Sequence, residues 1–391
     1  MFVTGAARSA VPAAATVAAG AALVAVCYGF ARFAYGLFAP ELQAEFDLSD
    51  TWSAVIGAGG YVGYCVAILV STWLTPRWGP RRVASLAGAV ATVGMAGVAV
   101  APSATALAVA LLVAGSSTGI ASPPLAAAVE QCVRRARRDR AQTLVNAGTG
   151  FGVLLSGPVV LLLSAQWRLA WLVYAGGAAV VTWWVRRTVP GRDPRDGATI
   201  PARTRGGHDV ALLVASFTLG VGSVAVWTSG RSIVEAGTPG DDAIGALVWV
   251  VIGAAGIAGA LSGPLVQRIG VARSWALLMV LLAGATAVIG SAPSHRSAVL
   301  VAAAAFGAAY IALTGVALVW ATRRYPRRTE QGVGASFFLI ALGQAIGALV
   351  VGVVVDLLGL AAAFHVCAAV ALLGALTPAR AAMVGRAAVR P

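Results

Sequence analysis

The chain has 391 residues, of which 59% are hydrophobic and 11% charged, with a mean hydropathy of +0.86. Soluble domains carry about 25% charged residues, so this composition excludes a soluble globular protein and requires a membrane one. The 28 basic residues, all arginine, outnumber 14 acidic ones for a formal charge of +14; they are spread over many short segments, which excludes a nucleic-acid-binding patch.

A membrane-crossing helix needs about 20 apolar residues. Such runs are predicted at 14–39, 53–75, 83–101, 104–130, 142–164, 168–185, 210–234, 243–264, 274–291, 298–321, 331–355 and 361–377. The first is too long for a signal-peptide core and has no clear cleavage site, so it reads as a retained helix. The breaks between runs are short and rich in turn residues, as in "TPRWGPRR", "APSAT", "APSHRS" and "RRYPRRTE". One break is long. Residues 186–209, rich in Pro, Gly, Arg and Asp, fall at the midpoint and read as a flexible linker. The expected architecture is all-α: twelve transmembrane helices in two pseudo-symmetric six-helix bundles, residues 1–190 and 210–391, joined by a cytoplasmic linker at 191–209.

Arginine placement predicts the orientation. With both termini inside, the inner segments hold 24 of the 28 arginines. The outer loops hold Arg168 and Arg296, and only Arg32 and Arg231 lie within spans. This is the bias expected of cytoplasmic loops, and it assigns the inner arginines to topology and anionic lipid.

The first span contains "YGFARFAYG", residues 28–36, whose one charge is Arg32. On an α-helix the residues three and four positions away share its face: Tyr28, Gly29, Tyr35 and Gly36. Phe30, Ala34, Leu37 and Phe38 form the greasy side. A charged, phenolic and small face suits a cavity wall in contact with substrate. The plainer alternative is an arginine that snorkels to the outer headgroups or pairs with Glu41 or Asp356.

Later spans offer further candidates. In the fourth, "GSSTGIASPP" carries Thr118 and Ser122; the fifth has Asn146, the tenth Tyr310 and Thr314, and the eleventh Gln344. Arg231, in the seventh, follows Trp227 and Thr228 by one turn and has Glu235 at i+4, so it is either a substrate contact or one half of a local ion pair. Isolated polar groups in spans also tie helices together, and each of these residues carries that second reading. No Asp or Glu lies mid-span; Glu41, Glu130, Glu235 and Asp356 sit near span ends. Proton relays and cationic substrates usually need buried carboxylates, so their absence beside Arg32 points to an anionic or zwitterionic organic solute. Glu41 is the candidate for proton coupling. His365, the one histidine within a span, reads as a packing residue. The four cysteines, Cys27, Cys65, Cys132 and Cys367, have no metal-ligand spacing, and no cofactor or metal is expected.

Two loops repeat at an offset of 191: "TWLTPRWGPRR" at 72–82 and "GPLVQRIGVAR" at 263–273. They share Arg77 with Arg268, Gly79 with Gly270, and Arg82 with Arg273, and Arg81 adds a further charge. The inner loops "VRRARRDRAQ" at 133–142 and "TRRYPRRTEQ" at 322–331 also correspond. Repeats at half the chain length imply two related bundles with a substrate site at their interface.

Twelve spans, the central loop and this arginine-glycine loop resemble the major facilitator superfamily over essentially the whole chain. "GFARFAYGLFAPEL", the acidic "FDLS" and "GAGGYVGYCVA" resemble more specifically its YbfB/YjiJ-type bacterial branch. The resemblance implies a multi-pass transporter of the bacterial cytoplasmic membrane, without enzymatic activity, expected to act as a monomer on a small-molecule solute. It also implies a gating role for the loop residues Arg77, Gly79, Arg81, Arg82, Arg268, Gly270 and Arg273. The family's acidic residue in that loop is replaced here by Pro76 and Gln267, and Glu130 is the alternative acceptor for the loop arginines. "NAGTGFGVLLSGP" at 146–158 matches the antiporter glycine-proline pattern only in part, through Gly157 and Pro158.

The leading reading is a secondary transporter working by alternating access, with protons as the candidate coupling ion. Multidrug or metabolite efflux of lipophilic compounds is the alternative within that class. A non-transporting membrane sensor or assembly protein is the alternative outside it. A membrane enzyme is disfavoured, because no Ser-His-Asp set, metal cluster or phosphate loop shares a face.

Overall fold

The computed structural model describes residues 13–48, 50–192, 209–241, 243–326 and 328–377; these are helices and short turns, with no strand among them. The expected linker at 191–209 falls almost wholly on residues 193–208, outside the described residues.

The first helix is a composite. α1 (Ala13–Val24) runs into a π-helical stretch, Ala25–Phe33, and continues as α2 (Ala34–Phe46). After it come α3 (Asp50–Trp78), α4 (Pro80–Ala99), α5 (Ala104–Cys132), α6 (Arg138–Leu163) and α7 (Trp167–Thr188). Beyond the linker lie α8 (Val210–Gly237) and α9 (Ile244–Gly256), then α10 (Ser262–Ser291), α11 (Arg296–Arg324), α12 (Thr329–Leu358) and α13 (Leu360–Gly374). Nine helical segments among the described residues are long and apolar enough to cross a membrane; the longest, Ile244–Ser291, runs from α9 through α10.

Local chemistry sets the ends. Ser103 caps α5 by accepting from Ala106 N, and Asp209 caps α8 by accepting from Leu212 N. Gly79 separates α3 from α4 with φ 80° and ψ 158°, and Gly270 breaks α10 internally with φ 82° and ψ 164°. A side chain disfavours that backbone region, so the two copies of the repeated loop turn in the same way for the same reason.

Packing follows the sequence halves. α4 lies on α5 and α7, α3 on α5, and α1 on α6; after the linker, α8 lies on α12 and α13, α10 on α11 and α13, and α9 on α11. Contacts between the earlier and later helices run through α6 with α9 and α11, and through α12 with α3 and α5. Small residues bring backbones together, as membrane helices require. A Cβ on Gly29 would lie 2.3 Å from the Gly152 backbone, and one on Gly152 would lie 2.1 Å from the Ala25 carbonyl oxygen. Trp171, Trp249 and Trp275 are fully buried, whereas Leu162, Leu357 and Val301 point outward, an arrangement that only a lipid solvent favours.

The π-helical stretch changes the face around Arg32. Its turn closes at i+5 rather than i+4, so the predicted grouping of Tyr28, Gly29, Tyr35 and Gly36 does not hold as a unit. Gly29 faces the α6 backbone, and Tyr35 is half-buried against the core. The greasy side is where the α-helical count places it: Phe30 stacks on Tyr174 at 4.6 Å, and Phe38 packs on Trp171 and Tyr174.

Candidate functional site

Arg32 leaves the π-helical stretch beside four phenols. Its guanidinium lies over the rings of Tyr64 at 4.8 Å, Tyr61 at 4.9 Å and Phe33 at 5.1 Å. Tyr61 and Tyr64 come from α3, one turn apart. Nη2 of Arg32 donates to Oε1 of Gln344 on α12, and Gln344 Nε2 donates to the Tyr310 hydroxyl of α11 at 3.3 Å. The Tyr28 hydroxyl bonds Tyr64 at 3.0 Å and Ser122 of α5 at 2.8 Å. All of these partners but the half-buried Ser122 are buried, and they join residues far apart in the chain around one cation.

Arg32 pairs with neither Glu41 nor Asp356. Among the described residues no carboxylate lies within 4.0 Å of it; Glu41 lies beside Arg231, and Asp356 is exposed. Each cation–π contact is worth about 0.5–2 kcal/mol, but none neutralises the charge. A guanidinium held only by neutral groups retains the capacity to take an anionic acceptor in a charge-assisted bond.

An aromatic cluster adjoins the cation. Phe33 stacks on Trp227 of α8 at 4.1 Å. Trp227 meets Trp249 of α9 and both Phe306 and Tyr310 of α11 edge-on.

The remaining predicted residues fall in three places. Asn146 donates to Ile311 O at 3.0 Å and Thr314 Oγ1 at 2.9 Å, tying α6 to α11. Thr118 donates to Gly115 O within its own helix. Arg231 sits at the opposite end of the molecule from the repeated loops: Nε meets Glu235 at 2.6 Å, Nη1 donates to Leu37 O, and Glu41 lies 3.8 Å away. Its side chain is 16% exposed, and it joins α8 to the first helix.

At the loop end, Glu130 differs from expectation. Its partners are Arg138, at 2.6 Å, and the Thr329 hydroxyl, rather than the loop arginines. Those are engaged elsewhere: Arg77 donates to Trp73 O and covers the Trp73 ring, and Arg81 donates to Val189 O at 2.7 Å. A Cβ on Gly79 would meet Arg192, which itself donates to Arg77 O. Arg82, Arg268, Gly270 and Arg273 are exposed.

Sequence reasoning overlooked Tyr61, Tyr64, Phe33, Trp249 and Phe306. The signal available was the i, i+3 pair of tyrosines in "GAGGYVGYCVA", which stand on one face of the second span.

Comparison with known proteins agrees with the helical fold. The family model described as "Uncharacterised MFS-type transporter YbfB" matches residues 24–378. The transcription regulatory protein OpdE of Pseudomonas aeruginosa is 29% identical over 383 residues, covering 91% of this chain and 92% of OpdE. The human organic anion transporter MFSD10 (TETRAN) superposes with a TM-score of 0.71 at 16% identity, over 94% of this chain and 99% of that one. The proton:xylose symporter XylE, bound to 6-bromo-6-deoxy-D-glucose, superposes with a TM-score of 0.74 at 14% identity, over 92% and 94%. The superpositions show the major facilitator fold, and the match across residues 24–378 makes the chain a multi-pass membrane protein of the YbfB-type family of major facilitator superfamily transporters.

Proposed function

We propose that the protein is a secondary active transporter of a small organic anion or zwitterion in the bacterial cytoplasmic membrane. One observation carries the substrate class: Arg32, deep among the helices, is bonded across the sequence halves to Gln344 and has no carboxylate partner among the described residues. An uncompensated charge at membrane depth is expensive, and a solute anion offsets that cost when it binds.

The architecture of the proposal is twelve spans with both termini inside. Gly270 divides Ile244–Ser291 into two, and Asp50–Trp78 and Leu360–Gly374 complete the count. Residues 1–190 and 210–391 form the two bundles that rock about the Arg32 site, each protein acting as a monomer. Arg231 with Leu37 and Glu41, at one end, and Glu130 with Thr329, at the other, are the contacts that part in alternation. Glu41 is the proposed proton-coupling group: its Oε2 is buried, has no hydrogen-bond partner among the described residues and lies 3.8 Å from Arg231.

Flux in proteoliposomes tests the reading. Arg32→Gln should reduce counterflow of an organic anion at least tenfold, and Glu41→Gln should flatten its pH dependence. An Arg32→Gln protein that moves anions at the wild-type rate overturns the substrate class and favours efflux of lipophilic compounds. The name of OpdE, a transcription regulatory protein, favours a second reading as a non-transporting membrane regulator. Ligand binding without flux of any solute would support that one.

A further inference from the structure

The centre of the protein is more aromatic than an anion site requires. Phe33 and Trp227 stack with ring planes 18° apart, and Phe33 also lies 5.1 Å from the Arg32 guanidinium. Trp227 touches Trp249 at 5.8 Å, Phe306 at 5.5 Å and Tyr310 at 5.1 Å. Aromatic contacts, face to face at Phe33 and Trp227 and edge-on beyond, therefore run from the cation into the later helices. The stack joins the first helix to α8, so any parting of the sequence halves there uncovers one face of each ring next to Arg32.

Two members of the cluster have unmet bonding capacity. Trp227 is 4% exposed and Trp249 is 1% exposed, and neither indole N–H has an acceptor among the described residues. A buried donor without an acceptor carries its full desolvation cost. Trp171 shares this condition elsewhere in the protein, so an unmet indole is not by itself a mark of the site. Two of them in mutual contact, the nearer one stack away from an unneutralised guanidinium, form a donor set that calls for an oxygen-bearing ligand.

Gln344 supplies the last element. Its amide oxygen accepts a hydrogen bond from Arg32 Nη2, in the position a carboxylate oxygen would occupy. A carboxylate adds the attraction of a full negative charge and a second acceptor oxygen, which a neutral amide lacks, so a ligand can displace Gln344, which keeps Tyr310 as its partner.

Resting on the reading of Arg32 as the substrate anchor, we infer that the solute is an aromatic carboxylate bearing an oxygen on its ring, of the hydroxybenzoate type. The carboxylate replaces the Gln344 amide on Arg32. The ring lies against the faces of Phe33 and Trp227. The ring oxygen accepts from an indole N–H of Trp227 or Trp249. Favourable aromatic pairing, beyond equal apolar area, corresponds to about two- to tenfold in affinity, which sets the selectivity of benzoate expected over a saturated ring.

The test is a thermal-shift titration of the detergent-purified full chain with 4-hydroxybenzoate, benzoate, cyclohexanecarboxylate and acetate. A compound that binds the native state raises the melting temperature with concentration. The expected order of potency is 4-hydroxybenzoate, then benzoate, then cyclohexanecarboxylate at least tenfold weaker than the first, with acetate inactive over the same range. Trp227→Phe or Trp249→Phe keeps a ring and removes the N–H, so one of them should erase the advantage of 4-hydroxybenzoate over benzoate. Arg32→Gln should abolish every response, and its unliganded melting transition reports whether it is folded. Equal potency of benzoate and cyclohexanecarboxylate overturns the aromatic assignment while leaving an organic-anion site in place. No response of the wild type to any carboxylate overturns both. The wild-type ranking alone decides the matter if a variant fails to fold.

Discussion

Asn146 on α6 and Thr314 on α11 bond side chain to side chain at 2.9 Å, and the same Asn146 nitrogen also reaches Ile311 O at 3.0 Å. Both residues are buried, and the pair bridges helices from opposite sides of the chain's midpoint. Hydrogen bonds between membrane helices are worth about 0.6 kcal/mol on average and up to about 2 kcal/mol. Asn146→Ala should therefore lower stability by about 1 kcal/mol. Thr314→Val should cost less, because Asn146 keeps the Ile311 carbonyl. If this tie breaks in each transport cycle, Asn146→Ala should melt lower yet transport at least as fast as wild type, by up to about fivefold. Melting in detergent and initial flux in liposomes read the two effects, and a variant slowed in flux would make the tie a positioning element instead.

The Gly152 position admits no side chain. A Cβ there would lie 2.1 Å from Ala25 O and 2.8 Å from the Ala25 carbonyl carbon, both backbone atoms that no rotamer change can move. Overpacking typically costs about 1–3 kcal/mol, and the collision bears on the start of the π-helical stretch that carries Arg32. Gly152→Ala should lower both the melting temperature and the affinity for any Arg32-dependent ligand. Gly176→Ala is the matched control, since a Cβ there meets nothing within 4 Å; equal behaviour of the two variants would refute the packing argument.

These residues also mark what the sequence makes legible. Helical class and the repeated loop were plain, because apolar run length and the Gly79 and Gly270 spacing are direct consequences of bilayer thickness and backbone sterics. Arg32, Tyr28, Ser122, Tyr310 and Gln344 were each visible as lone polar groups in apolar runs, and they meet in one network. The π-helical turn was not legible: it arises where the first helix packs backbone to backbone on α6, a tertiary contact that no local pattern encodes. Tyr61, Tyr64 and Trp249 were missed because aromatic residues in spans look the same whether they face lipid or a guanidinium. Glu130 was placed correctly near a helix end but matched with the wrong arginines, since Arg138 is nearer to it once α5 and α6 are joined by a short turn.

Asp139 on α6 and Arg323 on α11 form an ion pair at 2.5 Å with side chains 20% and 44% exposed. Such a pair is worth at most about 1 kcal/mol after solvent screening. A double-mutant cycle of Asp139→Asn and Arg323→Gln should give a coupling below that figure in melting experiments. Raising the salt to about 1 M, where the screening length falls to about 3 Å, should erase it. A coupling that survives high salt would make this contact a buried latch rather than a surface one.

Arg231 should behave differently, because one guanidinium serves two acceptors and stands near a third, more distant carboxylate. It pairs with Glu235 at 2.6 Å, donates to Leu37 O and lies 3.8 Å from Glu41. Removing the cation strands two carboxylates and a carbonyl in a partly buried place, whereas removing Glu235 leaves the guanidinium the Leu37 carbonyl and the nearby charge of Glu41. Breaking a fully buried pair costs about 3–5 kcal/mol, and partial exposure of these groups reduces that to about 1–3 kcal/mol for Arg231→Gln. Glu235→Gln should cost under about 1 kcal/mol. The double variant Arg231→Gln, Glu235→Gln should be more stable than Arg231→Gln alone, since it removes one stranded charge. Melting of the three proteins side by side gives the order, and an Arg231→Gln protein no less stable than Glu235→Gln would mean that the contact between α8 and the first helix does not rest on this cation.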